Sequence, residues 1–468
     1  MRKLKPAAFT AAASAKQVRA PSARAVALKA LLNGGSQSAL DAALRSQAGV
    51  SAADRALATA LVYGTMKMQR ALAWSLAHYL KRPLRGLSPP LRWSLLLGAY
   101  QLLYMDRIPV HSAVDESVTL ARGTGHAGTA AVANAVLRKL AASKVTPPDP
   151  RASDPPAVFA DHASLPDWLA QHILGRFGLK DAMRIARGVN GPAARAARVN
   201  TARTDLSSMT SQLANSHLSP QQPRYQIPEC LAFGRGSPVW PQTIDDTVRA
   251  GLLTVQSEES QLACHLLDVK AGETVIDACA GRGVKTGALA QRLTADSNSA
   301  IYAIDDDAKK LRLLALEMER LGVRGVRALQ CDARRPFPPA VPLADAALVD
   351  APCTGIGIIG RHPELRWRKR PDDGVRLSAT QLAILECAAE RSAGNGRILY
   401  VTCSTDARED EDVVRSFLAR NEGWRSAPLQ VPANSADMLP IGDFLLTLPG
   451  VDGADGFFFA QLVRRAPH

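Results

Sequence analysis

The chain contains no uninterrupted apolar run of the roughly 18 residues that a membrane-spanning helix needs. Even the stretch LLLGAYQLLYM is short and is broken by Gly98, Tyr100 and Gln101. The seven cysteines, Cys230, Cys264, Cys279, Cys331, Cys353, Cys387 and Cys403, form an odd set with no CxxC pair. That argues against a disulfide framework or zinc site and fits a reduced, cytoplasmic setting. The nine histidines show no HExxH or other ligand spacing, so no metal is expected. The glycine-rich loop DACAGRGVKT is neither GxGxxG nor GxxxxGKS/T, which argues against NAD and ATP.

Acidic residues are also scarce at the start. The first carboxylate is Asp41, whereas residues 1–20 already carry Arg2, Lys3, Lys5, Lys16 and Arg19. This segment reads as a flexible RNA-contacting arm in preference to an organelle transit peptide, which shares the composition. Residues 1–150 hold 20 Lys and Arg against 6 Asp and Glu, while residues 151–468 hold 37 against 37. The whole excess of +14 therefore lies in the first third, and a unit so one-sided in charge points to a polyanion as its partner.

What is present suffices for two or three globular domains: 468 residues, 47% hydrophobic and 21% charged. From residue 21 to residue 144, apolar residues recur at three and four in ARAVALKALL, RALATALVYG and SAVDESVTLA, which predicts an all-α basic domain. VTPPDPRASDPP interrupts the pattern with five prolines, and residues 145–164 read as a linker. LPDWLAQHILGRFG predicts a helix and RVNTAR a short strand, so residues 165–250 read as a small α+β connecting domain. In residues 251–468, short apolar runs (TVIDAC, AIYAID, VRALQC, AALVDAP, RILYVTC) alternate with helical periods. That alternation predicts a Rossmann-like α/β domain with a parallel sheet, whose ligands bind beyond the carboxyl ends of the strands.

Each run ends in a polar or nucleophilic residue: Asp277 and Cys279, Asp305, Cys331 and Asp332, Asp350 and Cys353, and Cys403. The loop DACAGRGVKT passes from strand to helix through Gly281 and Gly283, where backbone can approach a ligand closely. Asp305 stands where such folds place the carboxylate that accepts from a ribose diol, unless it caps the next helix, a role that Asp306 or Asp307 can fill equally well. Asp332 can accept from an adenine amino group. Together these suit an adenosyl cofactor without a pyrophosphate. Cys353 and Cys403, on neighbouring strands, fall in one pocket, as a reaction requires in which a thiolate adds to C6 of a cytosine to activate C5. Asp350, three residues before Cys353, is placed to hydrogen-bond that base at N3.

These segments, with DAPCTGIGIIGRHPELRW and the terminal DGFFFAQLVRR, resemble the NOL1/NOP2/Sun family of RNA 5-methylcytosine methyltransferases. LVYGTMKMQRALAW, LLLGAYQLLYMDRIPVHSAVDES and NAVLRKL are similar to a NusB-like RNA-binding helical domain found in a bacterial branch of that family. The resemblance implies S-adenosyl-L-methionine as cofactor and small-subunit (16S) ribosomal RNA as substrate. It assigns attack to Cys403 and product release to Cys353. It carries over the cofactor contacts to Cys279, Ala280, Gly281, Arg282, Gly283, Val284 and Lys285, then Asp305, Asp332 and Asp350. A cytoplasmic monomer without membrane or metal partners is expected. The family loop usually reads AAPGGKT; Arg282 replaces its proline and Val284 its second glycine. If that glycine needs positive φ, Val284 is strained by about 1 to 3 kcal/mol. A noncatalytic rRNA-binding or assembly factor with a degenerate cofactor loop is the alternative, and a dinucleotide oxidoreductase a distant third.

Overall fold

The computed structural model describes residues 22–47, 49–123, 127–216, 218–236, 240–293, 298–431 and 436–465. The arm expected over residues 1–20 lies outside the described residues. Helices α1 (Ala23–Leu32), α2 (Gln37–Arg45), α3 (Ala52–Lys67), α4 (Gln69–Ala77), α5 (Pro89–Tyr104), α6 (Val110–Gly123) and α7 (Ala127–Ser143) form the N-terminal unit. Serine starts the first three: Ser22, Ser36 and Ser51 accept from the amides of Ala25, Ala39 and Asp54, satisfying donors that a helix start leaves unpaired. The apolar α5 buries Leu95, Leu96, Leu97 and Ala99 in the middle of this core. Tyr100 lies so close to Gly64 of α3 that a β-carbon there would overlap its ring.

Residues 144–155 contain no helix or strand. Helix α8 (Pro156–Ala163) follows inside the proline-rich stretch, starting at Pro156, where a missing N–H removes no helical hydrogen bond. Helix α9 (Asp167–Asn190) bends at Gly178, whose φ is 67°. Strands β1 (Ala194–Val199), β2 (Cys230–Arg235) and β3 (Leu253–Val255) then make an antiparallel sheet in the order β2-β1-β3, with α10 (Leu206–Ala214) and α11 (Gln242–Arg249) between them.

After α12 (Glu258–Leu267), strands and helices alternate: β4 (Thr274–Asp277), α13 (Val284–Leu293), β5 (Ala300–Asp305), α14 (Ala308–Leu321), β6 (Val326–Gln330) and β7 (Ala344–Asp350). The short α15 (Leu365–Arg368), α16 (Pro371–Glu390), β8 (Ser392–Thr402) and α17 (Glu411–Arg420) follow. Five strands pair in parallel in the order β6-β5-β4-β7-β8, as the apolar runs predict. The sheet then departs from a purely parallel one: β9 (Trp424–Ala427), β10 (Met438–Ile441), β11 (Phe444–Thr447) and β12 (Phe458–Arg464) extend it antiparallel, with β12 against β8. Short connections between the last strands permit antiparallel pairing, whereas a parallel neighbour needs a crossover helix.

One segment fixes the helical unit to this sheet. Arg366, fully buried, donates to the carbonyls of Lys67 (3.1 Å) and Val189 (2.7 Å) and to Asn190 Oδ1 (2.6 Å). Next to it, Trp367 Nε1 donates to the Met66 carbonyl (2.9 Å). Both belong to the RHPELRW stretch that follows the Cys353 loop, so the basic unit and that loop are mechanically joined.

Candidate active site

Strands β7 and β8 run in parallel with Asp350 level with Val401, so the residues that leave the two strands emerge together. The sulfurs of Cys353 and Cys403 lie 2.9 Å apart, and the Cys403 amide donates to Cys353 Sγ at 3.3 Å. The hydrogen bond with Cys403, then burial, pushes the Cys353 thiol well above the ordinary range, so Cys353 stays protonated beside its neighbour. The loop between them is held from both sides. The Gly357 amide donates to the Cys403 carbonyl (3.0 Å) and the Gly456 amide to the Gly357 carbonyl (2.8 Å). A β-carbon on Gly357 would lie 2.0 Å from the Gly456 carbonyl oxygen, so only glycine fits there.

A buried carboxylate ties the two cysteine loops. Glu409 accepts from the Thr354 amide (2.8 Å), Ser404 Oγ (2.6 Å), Gln381 Nε2 (3.1 Å) and the Thr354 hydroxyl. Thr354 follows Cys353 and Ser404 follows Cys403, so one side chain sets both backbones. The sequence gives only a weak signal of this: an acid six residues beyond Cys403, in a position that becomes buried only in the folded chain.

The other strand-end residues line the same rim. Asp350 pairs with Lys285 at 2.6 Å. Burial disfavours charge on Lys285, but Asp350 outweighs it and lifts the lysine above its usual range, with charge on Cys264 and Cys403 acting in the same direction. Asp305 is buried at the end of β5, its oxygens taking the amides of Gly281 (3.0 Å) and Asp307 (2.9 Å), with Lys310 at 3.3 Å. The helix-capping role belongs to Asp307, which accepts from the Lys309 and Lys310 amides. Asp332 is held by Arg334, whose hydrogen bonds draw it down to about 2. Asp277, fully buried, accepts from Thr286 Oγ1 at 2.7 Å. Burial is the main reason that its carboxyl rises to about 7.

The family described as 16S rRNA methyltransferase RsmB/F matches residues 264–463, and the NusB family matches residues 21–142. The ribosomal RNA small subunit methyltransferase B of Thermus thermophilus is 34% identical over 451 residues, covering 96% of this chain and 99% of that protein. A probable ribosomal RNA small subunit methyltransferase B from Synechocystis is 31% identical, covering 91% of this chain and 94% of its own length. The chain belongs to the RsmB/F family. The crystal structure of PH0851 has the same architecture, with a TM-score of 0.76 and 26% identity, over 93% of this chain and 98% of that one. Membership makes the protein an S-adenosylmethionine-dependent RNA methyltransferase with a helical NusB domain ahead of a Rossmann-like core.

The rim of this RsmB/F member fits that cofactor. Gly281 and Gly283 take φ values of 57° and 84°, and a β-carbon on Gly281 would meet only the Cys279 carbonyl oxygen, at 4.0 Å, leaving room for a ligand against the backbone. Cys279, Ala280 and Asp305 share the β4–β5 edge, the Ala280 amide donating to the Ile304 carbonyl (2.9 Å). Asp305, Asp332 and Asp350 stand at the strand ends, each paired with a basic side chain. Arg282 is exposed. The strain foreseen at Val284 does not arise: Val284 opens α13 and is not among the residues with positive φ, which Gly281 and Gly283 carry instead. Val284→Gly is therefore expected to leave cofactor affinity unchanged by calorimetry; a tenfold tighter complex, about 1.4 kcal/mol, would reveal strain after all.

Sequence reading also missed Arg198, in RVNTAR. It is fully buried beneath the cofactor loop and donates to the Val284 carbonyl (3.1 Å) and Gln291 Oε1 (3.0 Å). An arginine alternating with apolar residues in a short strand is the signal that could have found it.

Proposed function

We propose that this protein methylates C5 of a cytosine in 16S rRNA through a covalent adduct with Cys403. The observation that carries the reading is the pair of sulfurs 2.9 Å apart beside Asp350 and the cofactor rim. The names of the Thermus and Synechocystis relatives supply the substrate class.

Cytosine C5 is a weak nucleophile. Addition of Cys403 Sγ to C6 moves the C5–C6 electron pair toward C4 and the C4–N3 π pair onto N3, which takes up the proton that the Cys403 thiol gives up, so that C5 becomes an enamine carbon. Lys285 holds one oxygen of Asp350, and an Asp350 oxygen accepts from the newly protonated N3, a bond absent from the free base and therefore selective for the adduct. S-adenosylmethionine, when bound, supplies an electrophilic methyl group for C5. The C5 proton then leaves to water, the Sγ–C6 bond breaks with its electron pair returning to sulfur, and the N3 proton passes back to that sulfur. Cys353, kept as a thiol, hydrogen-bonds the departing Cys403 sulfur and speeds its release.

The test is transfer of labelled methyl to a 16S rRNA transcript and to small-subunit particles, followed by nucleoside analysis. Label in 5-methylcytosine is the expected result. RNA bound but never labelled, in either form, sinks the proposal and favours a noncatalytic assembly factor. Residues 21–144 act in this reading as the RNA-binding unit. The affinity of the full chain for the transcript should fall with salt by about 0.7 to 0.9 logarithmic units per phosphate contact for each tenfold rise, and a flat response would remove that role.

A further inference from the structure

A cleft of about 360 Å³ lies where the helical unit, the three-stranded sheet and the loop after Cys353 meet. Its size suits a drug-sized or nucleotide-sized ligand. Tyr63, Lys67 and Tyr100 come from the helical unit, Arg195 and Trp240 from the connecting region, and Arg361 from the catalytic loop; among the described residues no Asp or Glu lines it. Arg195 lies 4.8 Å over the Trp240 ring, and Arg361 is balanced by Asp455 at 2.6 Å. Lys67 is different. Its ammonium donates to the Gly191 carbonyl at 2.6 Å, and no ion pair reaches Lys67 or the buried Arg366 among the described residues. Burial, then Arg366 and Arg361, pulls Lys67 down to about 7. Arg195, together with Lys67, whose charge an approaching phosphate favours, sets positive charge beside a pocket walled by aromatic faces.

We propose that this cleft binds one nucleotide of the rRNA substrate, its base on Trp240 and the tyrosines and its phosphate toward Lys67 and Arg195. The inference rests on RNA being the substrate. Flat rings accept any base by stacking, and cations take the backbone, the combination that single-stranded RNA requires. The nucleotide is a neighbour of the target base in the strand. Gly360 lines the cleft seven residues after Cys353, so the two positions lie within roughly 25 Å by the reach of the chain. A short unpaired stretch of RNA can fill both at once.

Ultraviolet crosslinking of the full chain to a 16S rRNA transcript should join RNA to Tyr63, Tyr100 or Trp240, mapped by mass spectrometry. Trp240→Ala should raise the KM for the transcript about tenfold, in the range of one lost base stack, with the KM for S-adenosylmethionine unchanged. Trp240→Phe, which keeps a ring, should recover most of that loss. RNA crosslinked only elsewhere overturns the proposal, and the map decides even if Trp240→Ala fails to fold. Methyl transfer with an unchanged transcript KM in Trp240→Ala overturns it as well and leaves the methylation reading intact. Crosslinks in the cleft without any methyl transfer do the reverse.

Discussion

Cys403→Ala is expected to lower methyl transfer by roughly 10⁴-fold or more, the scale on which removal of a covalent nucleophile acts, while RNA and cofactor still bind. Cys353→Ala should behave differently. Its addition step keeps the Cys403 nucleophile, but the departing sulfur loses the thiol that lies 2.9 Å away. Elimination slows, and protein joined to RNA accumulates as a band that survives denaturing electrophoresis and disappears on ribonuclease treatment. The double variant should form no such band, because the adduct needs Cys403. If the band persists in the double variant, another residue attacks the base. If Cys403→Ala turns over normally, the covalent mechanism is wrong, and the close sulfur pair is structural.

The five parallel strands and the residues at their ends were legible because alternation of apolar runs with helical periods is a local property, and a strand's last residue is fixed by where its run stops. Asp305, Asp350, Cys353 and Cys403 therefore came out on one rim from spacing alone. The pairing of Lys285 with Asp350 was not legible, since 65 residues separate them and only the sheet order brings the loop after β4 beside the end of β7. The same holds for Arg366, which reads as one more surface cation in RHPELRWRKR until the helical unit closes over it. Val284 shows the opposite error. A family glycine suggested positive φ, yet a helix's first turn accepts valine, and the conformational demand falls on Gly281 and Gly283. Motif comparison locates a position but does not state its backbone conformation.

Glu409 is the residue whose loss should reveal how the two cysteines are kept in register. Its two oxygens serve four donors, among them the Thr354 amide and the Ser404 hydroxyl, and it is buried. Glu409→Ala strands those donors in a water-poor site, at about 1–3 kcal/mol for each that stays unpaired, and frees the Cys353 and Cys403 loops to separate. A displacement on the order of 1 Å at reacting atoms costs about 10²-fold in rate, so kcat should drop by about that factor. The KM values for RNA and S-adenosylmethionine should hold, because Glu409 touches neither the rim acids nor the cleft. Glu409→Gln keeps an acceptor for the Thr354 amide, and the hydroxyls of Thr354 and Ser404 can rotate to accept from its new amide group, so most of the rate should return. Rescue by glutamine identifies a positioning role through hydrogen-bond geometry. A glutamine variant as slow as alanine would instead mean that the negative charge itself matters beside the thiols, and the pH profile of kcat would then shift between wild type and Glu409→Gln.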